Sequence, residues 1–146
     1  MLKLHKYSII RIYTVLTEPM LFSDLWPYIE HSKEINLSIK NLIYGKNVVN
    51  VIRKNQVCFT KLFFFHLDIS QKVLLDLFDF ILSFPSGPPR ACFTFLQELP
   101  VSLAWTVIEK YESLGFKENM HFIPTSEYHS IRMIVLEGNK LEAHFC

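Results

Sequence analysis

Glycine is scarce: 4 residues among 146. That excludes collagen-like and low-complexity architectures and leaves little material for glycine-rich phosphate loops. Cysteine is also rare. Cys58, Cys92 and Cys146 cannot all pair, and two of them sit in strand-like apolar runs, so buried thiols in a reducing compartment are expected rather than a disulfide framework. Charge of one sign is missing too. The net charge of +1 gives no reason to expect a nucleic-acid footprint or a polybasic membrane face. The nearest basic cluster, Lys46 with Arg53 and Lys54, is expected on a solvated hairpin. The one greasy stretch, Leu62–Phe84, is broken by Asp68, Lys72, Asp76 and Asp79, which fits a core helix and strand and not a membrane span. Met1–Leu16 is split by Arg11 and lacks a small-residue cleavage site, so no signal peptide is expected. A soluble cytoplasmic protein follows as the expectation.

What is present is a rich core. Half of the residues are hydrophobic and 13 are Phe, enough for one domain spanning residues 1–146. So many aromatics also predict exposed apolar surface, to be covered by a protein partner or a homodimer.

Ser8–Leu16, rich in Ile, Tyr, Thr and Val, predicts a strand. Met20–Ile29 predicts a helix disturbed by Pro27, and Ile35–Tyr44 a second short helix stopped by Gly45. Val48–Arg53 and Val57–Leu67 predict strands joined by Lys54-Asn55-Gln56. Along the second of these, Phe59, Phe63 and Phe65 share one face, and Cys58, Leu62 and Phe64 the other. Two apolar faces predict a central strand covered on both sides.

Ser70 is placed to cap a helix reaching Phe84 whose stripe is Val73, Leu74, Leu77, Phe78 and Ile81. After the break Pro85-Ser86-Gly87-Pro88-Pro89, the run Ala91–Leu96 predicts a strand. The helix that follows carries Ala104, Val107, Ile108 and Tyr111 at helical spacing. Gly115 is set for a left-handed cap and Phe116 for folding back on the last turn. A run around Met120–Ile123, alternating Ile131–Leu136, and Leu141–Phe145 beyond the turn Glu137-Gly138-Asn139-Lys140 complete a mixed α/β chain.

Within this order, Tyr111-Glu112-Ser113-Leu114-Gly115-Phe116 ends a helix that lies between a strand and two further strands. The stretch Ala91–Leu136 resembles the C-terminal half of a GNAT acyltransferase, where such a segment closes the helix after the splayed fifth strand. The resemblance implies a GNAT-like mixed sheet flanked by helices. It implies transfer of an acyl group from a thioester donor, acyl-CoA or acyl carrier protein, to an amine. Carried over by position, Tyr111 is the general acid that protonates the departing thiolate, and the cofactor loop falls on His66–Lys72, with Ser70, Gln71 and Lys72 at the helix N-terminus. His66, at the end of the expected central strand, is the best-placed base, with Glu98 as runner-up. The stretch His66-Leu67-Asp68-Ile69-Ser70-Gln71-Lys72 contains no glycine, and Ala104 stands where the family often has asparagine. These departures support the alternative of a non-catalytic GNAT-like binding or regulatory module that has lost coenzyme A.

Other constellations carry less. His121, His129, His144 and Cys146 match no zinc spacing, so no metal is expected. Trp26 and Trp105 are expected in the core or an interface. Met20–Leu62 can also be laid out as a winged helix, but Asn36, Lys40 and Asn41 are too few to read a duplex, and no nucleic-acid partner is expected.

Overall fold

The computed structural model describes residues 9–54, 59–84, 89–115, 117–122, 126–136 and 140–146. The mixed α/β class is what the chain forms. Strands β1 (Ile9–Leu21), β2 (Glu34–Ile43), β3 (Lys61–Leu67) and β4 (Arg90–Leu99) alternate with helices α1 (Phe22–Ile29), α2 (Val48–Arg53) and α3 (Gln71–Leu82). Helix α4 (Val101–Ser113) then leads into β5 (Lys117–Phe122), β6 (Tyr128–Leu136) and β7 (Lys140–Phe145). They make one seven-stranded sheet in the order β1-β2-β3-β4-β6-β7-β5. The first four strands are parallel and lie in chain order; β6 is antiparallel to β4 and to β7, and β5 runs parallel to β7.

That order decides the layering. A parallel connection needs a crossover, and crossovers are right-handed, so successive crossovers that always step to the next strand place their helices on the same side of the sheet. Helix α1 packs on α2, α2 on α3, and α3 on α4, a single helical layer. Beneath it the strands present matching rows: Ile10, Ile35, Leu62, Ala91 and Met133, then Ile12, Leu37, Phe64, Phe93 and Ile131. Apart from Ile12, which is half-buried, all of these are buried. Phe22 of α1 stacks near Tyr44 and Phe64, and Phe78 of α3 meets Phe93 edge-on.

Two elements are exchanged relative to the sequence expectation. Ile35–Tyr44, expected as a helix, is β2. Its apolar residues fit both periods: Ile35, Ile39, Leu42 and Ile43 a helix, Ile35, Leu37 and Ile39 a strand. The parallel neighbours on both sides select the second. Val48–Arg53, expected as a strand, is helix α2, with Val48, Val49 and Ile52 buried at helical spacing. Here the crossover between β2 and β3 overrides β-branched propensity. Gly45, at φ +71, turns the chain from one to the other. Lys46, Arg53 and Lys54 accordingly surround a helix and not a hairpin.

Strand β3 is central, with helices among the described residues on one face only. Leu62 and Phe64 are fully buried, while Phe63 and Phe65 on the opposite face are half-buried. Strand β1 runs past its expected end to Leu21, so α1 starts at Phe22 and keeps Pro27 inside it. Trp26 is in the core, whereas Trp105 is half-exposed. Cys92 is a buried thiol as expected, but Cys146 is an exposed one; Cys58 lies outside the described residues. Gly115 adopts the left-handed cap at φ +86, and Phe116 lies outside the described residues. No helix among the described residues is long and apolar enough to cross a membrane.

Candidate functional site

The helix-free face has its own rows. Across it run Arg11, Asn36, Phe63, Cys92, Arg132 and His144, and beside them Tyr13, Ser38, Phe65, Thr94 and Ser130. Alternation along each strand makes this unavoidable once the opposite rows are buried. No helix among the described residues packs on this face; Arg11, Tyr13 and Arg132 stand exposed on it, while Cys92 is buried between its neighbours.

At the carboxyl ends of the parallel strands, where ligands gather in open α/β sheets, three ladders slip register: β1 between Val15 and Met20, β3 between Phe64 and Leu67, β4 between Thr94 and Leu99. In β3 the slip leaves Phe65 and His66 opposite Thr94 alone, and His66 takes the extra step with φ 63. Its backbone N–H donates to Thr94 Oγ1 at 3.0 Å, and its imidazole Nε2 lies 3.3 Å from Ser38 Oγ. The left-handed backbone thus carries the imidazole onto the helix-free face. Asn41 is also left-handed, at φ 69, held by its side-chain amide donating to Leu16 O at 2.7 Å. Together they border an open depression of about 470 Å³ lined by Pro19, Lys40, Asn41, His66, Asp68 and Leu96, among others.

The chemistry of this depression is modest. It offers one ammonium, one carboxylate and one imidazole beside a serine hydroxyl. Asp68 Oδ1 accepts from the Tyr44 N–H at 3.3 Å. Among the described residues no carboxylate lies within bonding distance of the His66 imidazole. Ser70 accepts from the Val73 N–H at 3.3 Å as the N-cap of α3, which commits its hydroxyl to the helix; Gln71 and Lys72 are exposed in the first turn.

Tyr111 is elsewhere. It lies on α4 under the helical layer, buried, with its hydroxyl donating to Met133 Sδ on the covered face of β6. Burial pushes its phenol well above the ordinary value. The sheet therefore separates Tyr111 from His66: the two residues that the sequence assigned to one reaction occupy opposite faces. Ser38 and Thr94, the partners His66 does have, carry no sequence signal of their own, because alternation marks Ser38 only once β2 is known to be a strand.

Further titratable groups meet near β6. Glu98 contacts His129 at 3.3 Å and shares a hydrogen bond with Glu127. That bond, and then the histidine, holds Glu98 below the ordinary carboxylate range, while the same bond and the repulsion behind it push Glu127 up. His144 pairs with Glu142. Among the described residues no group of three or more His, Cys, Asp or Glu side chains is arranged so that it could hold a metal ion.

Comparison with family models, with curated proteins and with solved structures finds no match to the chain.

Proposed function

We propose that this chain is a non-catalytic binding module whose helix-free sheet face takes an acidic segment of a partner protein. The observation that carries the reading is the one-sided helical layer, which leaves a broad strand surface without a helix among the described residues. Arg11, Lys40, Lys61, Arg90 and Arg132 belong to the helix-free rows, against the carboxylates Glu34 and Glu142 in the rows and Asp68 beside Lys40 in the depression. Five cations against these three carboxylates leave a small positive excess on the face of a chain whose net charge is +1. Glu34 is already paired with Lys61 at 3.8 Å, and Glu142 with His144. Tyr13, Phe63 and Phe65 supply aromatic area between the cations, the combination that anchors and orients a partner.

The test is fluorescence anisotropy with a labelled peptide rich in Glu, interrupted by Leu and Phe. The same-length Lys peptide and an oligo-dT strand serve as the other arms. Saturable binding of the acidic peptide, weakened roughly tenfold by Arg132→Glu combined with Arg90→Glu, supports the reading. Tighter binding of oligo-dT, or of none of the three, overturns it.

A second reading, acyl transfer from acyl-CoA or acyl carrier protein to an amine, is favoured by the His66–Ser38 contact beside an open depression at the strand ends. In it His66 is the base, Ser70, Gln71 and Lys72 face the donor, and the thiolate takes its proton from a group other than Tyr111 on the far side of the sheet. Acetyl-coenzyme A should then raise the melting temperature, the rise should vanish in Lys72→Glu, and turnover should be lost in His66→Gln. Absence of both the shift and the turnover, with either donor, removes this reading.

A further inference from the structure

We infer that the outer edge of β1 is a self-pairing surface, on which two copies of this chain join antiparallel about a two-fold axis at Ile12. Strand β1 ends the sheet, so along Ile9–Val15 the N–H and C=O groups that do not bond β2 have no strand beside them among the described residues. Proteins blunt such edges with bulges, proline or charge, because a bare edge templates pairing. This chain does so over only half of the strand. The slip between Val15 and Met20 breaks the ladder, and Glu18 and Pro19 fall within it. From Ile9 to Val15 the ladder to β2 is uninterrupted, and the single charge is Arg11. Three side chains on that half stand well out of the core: Ile9 at 45%, Tyr13 at 64% and Val15 at 63% exposed.

The occupant is a second copy because the segment complements itself. Antiparallel pairing centred on Ile12 sets Arg11 opposite the partner's Tyr13, and Ile9 opposite the partner's Val15, on the helix-free face. On the helical face it sets Ile10 opposite the partner's Thr14, and the two Ile12 side chains opposite each other. Directly opposed residues in an antiparallel pair point to the same face, so both faces continue unbroken across the joint. No like charges oppose each other, the guanidinium meets an aromatic ring, and the half-buried Ile12 gains its missing neighbour. Each contact occurs twice except Ile12 against Ile12, which lies on the axis, as an isologous interface requires. The inference goes beyond the acidic-partner reading, whose test variants lie on β4 and β6.

Multi-angle light scattering on the eluting protein, across a loading series reaching the hundred-micromolar range, gives the mass. The expected result is a species of twice the 17.2 kDa chain mass at high loading. Tyr13→Arg, which opposes arginine to Arg11 across the joint, should return the protein to monomer. Adding Arg11→Glu to Tyr13→Arg should restore the dimer by setting Glu opposite Arg. Both positions are exposed, and circular dichroism confirms that the fold is kept. A monomer at all loadings, a dimer indifferent to Tyr13→Arg, or a loss that Arg11→Glu does not reverse overturns the inference. None of these results bears on whether Arg90 and Arg132 bind an acidic peptide, so the two ideas fail separately.

Discussion

At the scale of single residues, the backbone at His66 is the point of tension. A side chain other than glycine at φ 63 costs roughly 1–2 kcal/mol. The contacts to Thr94 and Ser38 offset part of that cost. His66→Gly should therefore hold stability near the native value in urea unfolding, the relieved backbone balancing the lost imidazole contact. His66→Val, β-branched at a positive φ, should lose about 2 kcal/mol or more. Equal losses in both variants would mean that the imidazole, and not the backbone step, sets the bulge. Tyr128 shows the opposite situation. Its hydroxyl is buried with no partner among the described residues, so Tyr128→Phe removes a desolvated group and should cost nothing, or gain a little, in the same unfolding experiment. The sequence offered His66 as a titratable strand end but gave no hint of its φ, because a bulge depends on how β3 meets β4.

At the scale of elements, the two faces of β3 should respond very differently to the same change. Phe64 is fully buried and touches the rings of Phe22, Tyr44 and Phe93. Phe64→Ala should cost about 3–5 kcal/mol. Phe63, one residue earlier on the helix-free face and only partly covered, should cost less as Phe63→Ala, about 1–2 kcal/mol, since part of its ring stays in contact with water. Denaturant midpoints of the two variants, compared at constant m-value, check this. Similar midpoints would mean that the outer face is covered after all. Helices α3 and α4 were legible in the sequence because each has a wide apolar stripe and a recognisable end, Ser70 for one and Gly115 for the other. Strands β6 and β7 were legible as a hairpin. Elements β2 and α2 were not, because short apolar runs satisfy both periods and only their neighbours choose between them.

At the scale of the whole molecule, buried phenols tie stability to alkaline pH. Burial raises Tyr111 and Tyr128, and burial reinforced by the nearby Asp68 carboxylate raises Tyr44. Their folded-state values lie above the unfolded phenol value of about 10. Folding thus favours the neutral form. The contribution is complete below that pH and is lost as pH rises towards the folded values, because the unfolded chain releases protons first. Melting temperatures should fall steadily above about pH 10, and the fall should be shallower in Tyr111→Phe, which removes one of the linked protons. Tyrosinate absorbance from Tyr44, Tyr111 and Tyr128 should appear only with unfolding. Its appearance in the native baseline would contradict their burial.

The sequence by itself determined the class of this protein, one mixed α/β unit with a phenylalanine-rich core, and the identity of its longest helices. Those features rest on periodicity and end signals, which are local. The tertiary structure decided the strand order, the single helical layer and the open face, since these follow from which strands pair and from the handedness of each crossover. It also decided that Tyr111 and His66, joined in one expected reaction, lie on opposite sides of the sheet. Side-chain direction in a strand reverses with each residue, and which direction faces the helices is fixed only when the sheet is assembled.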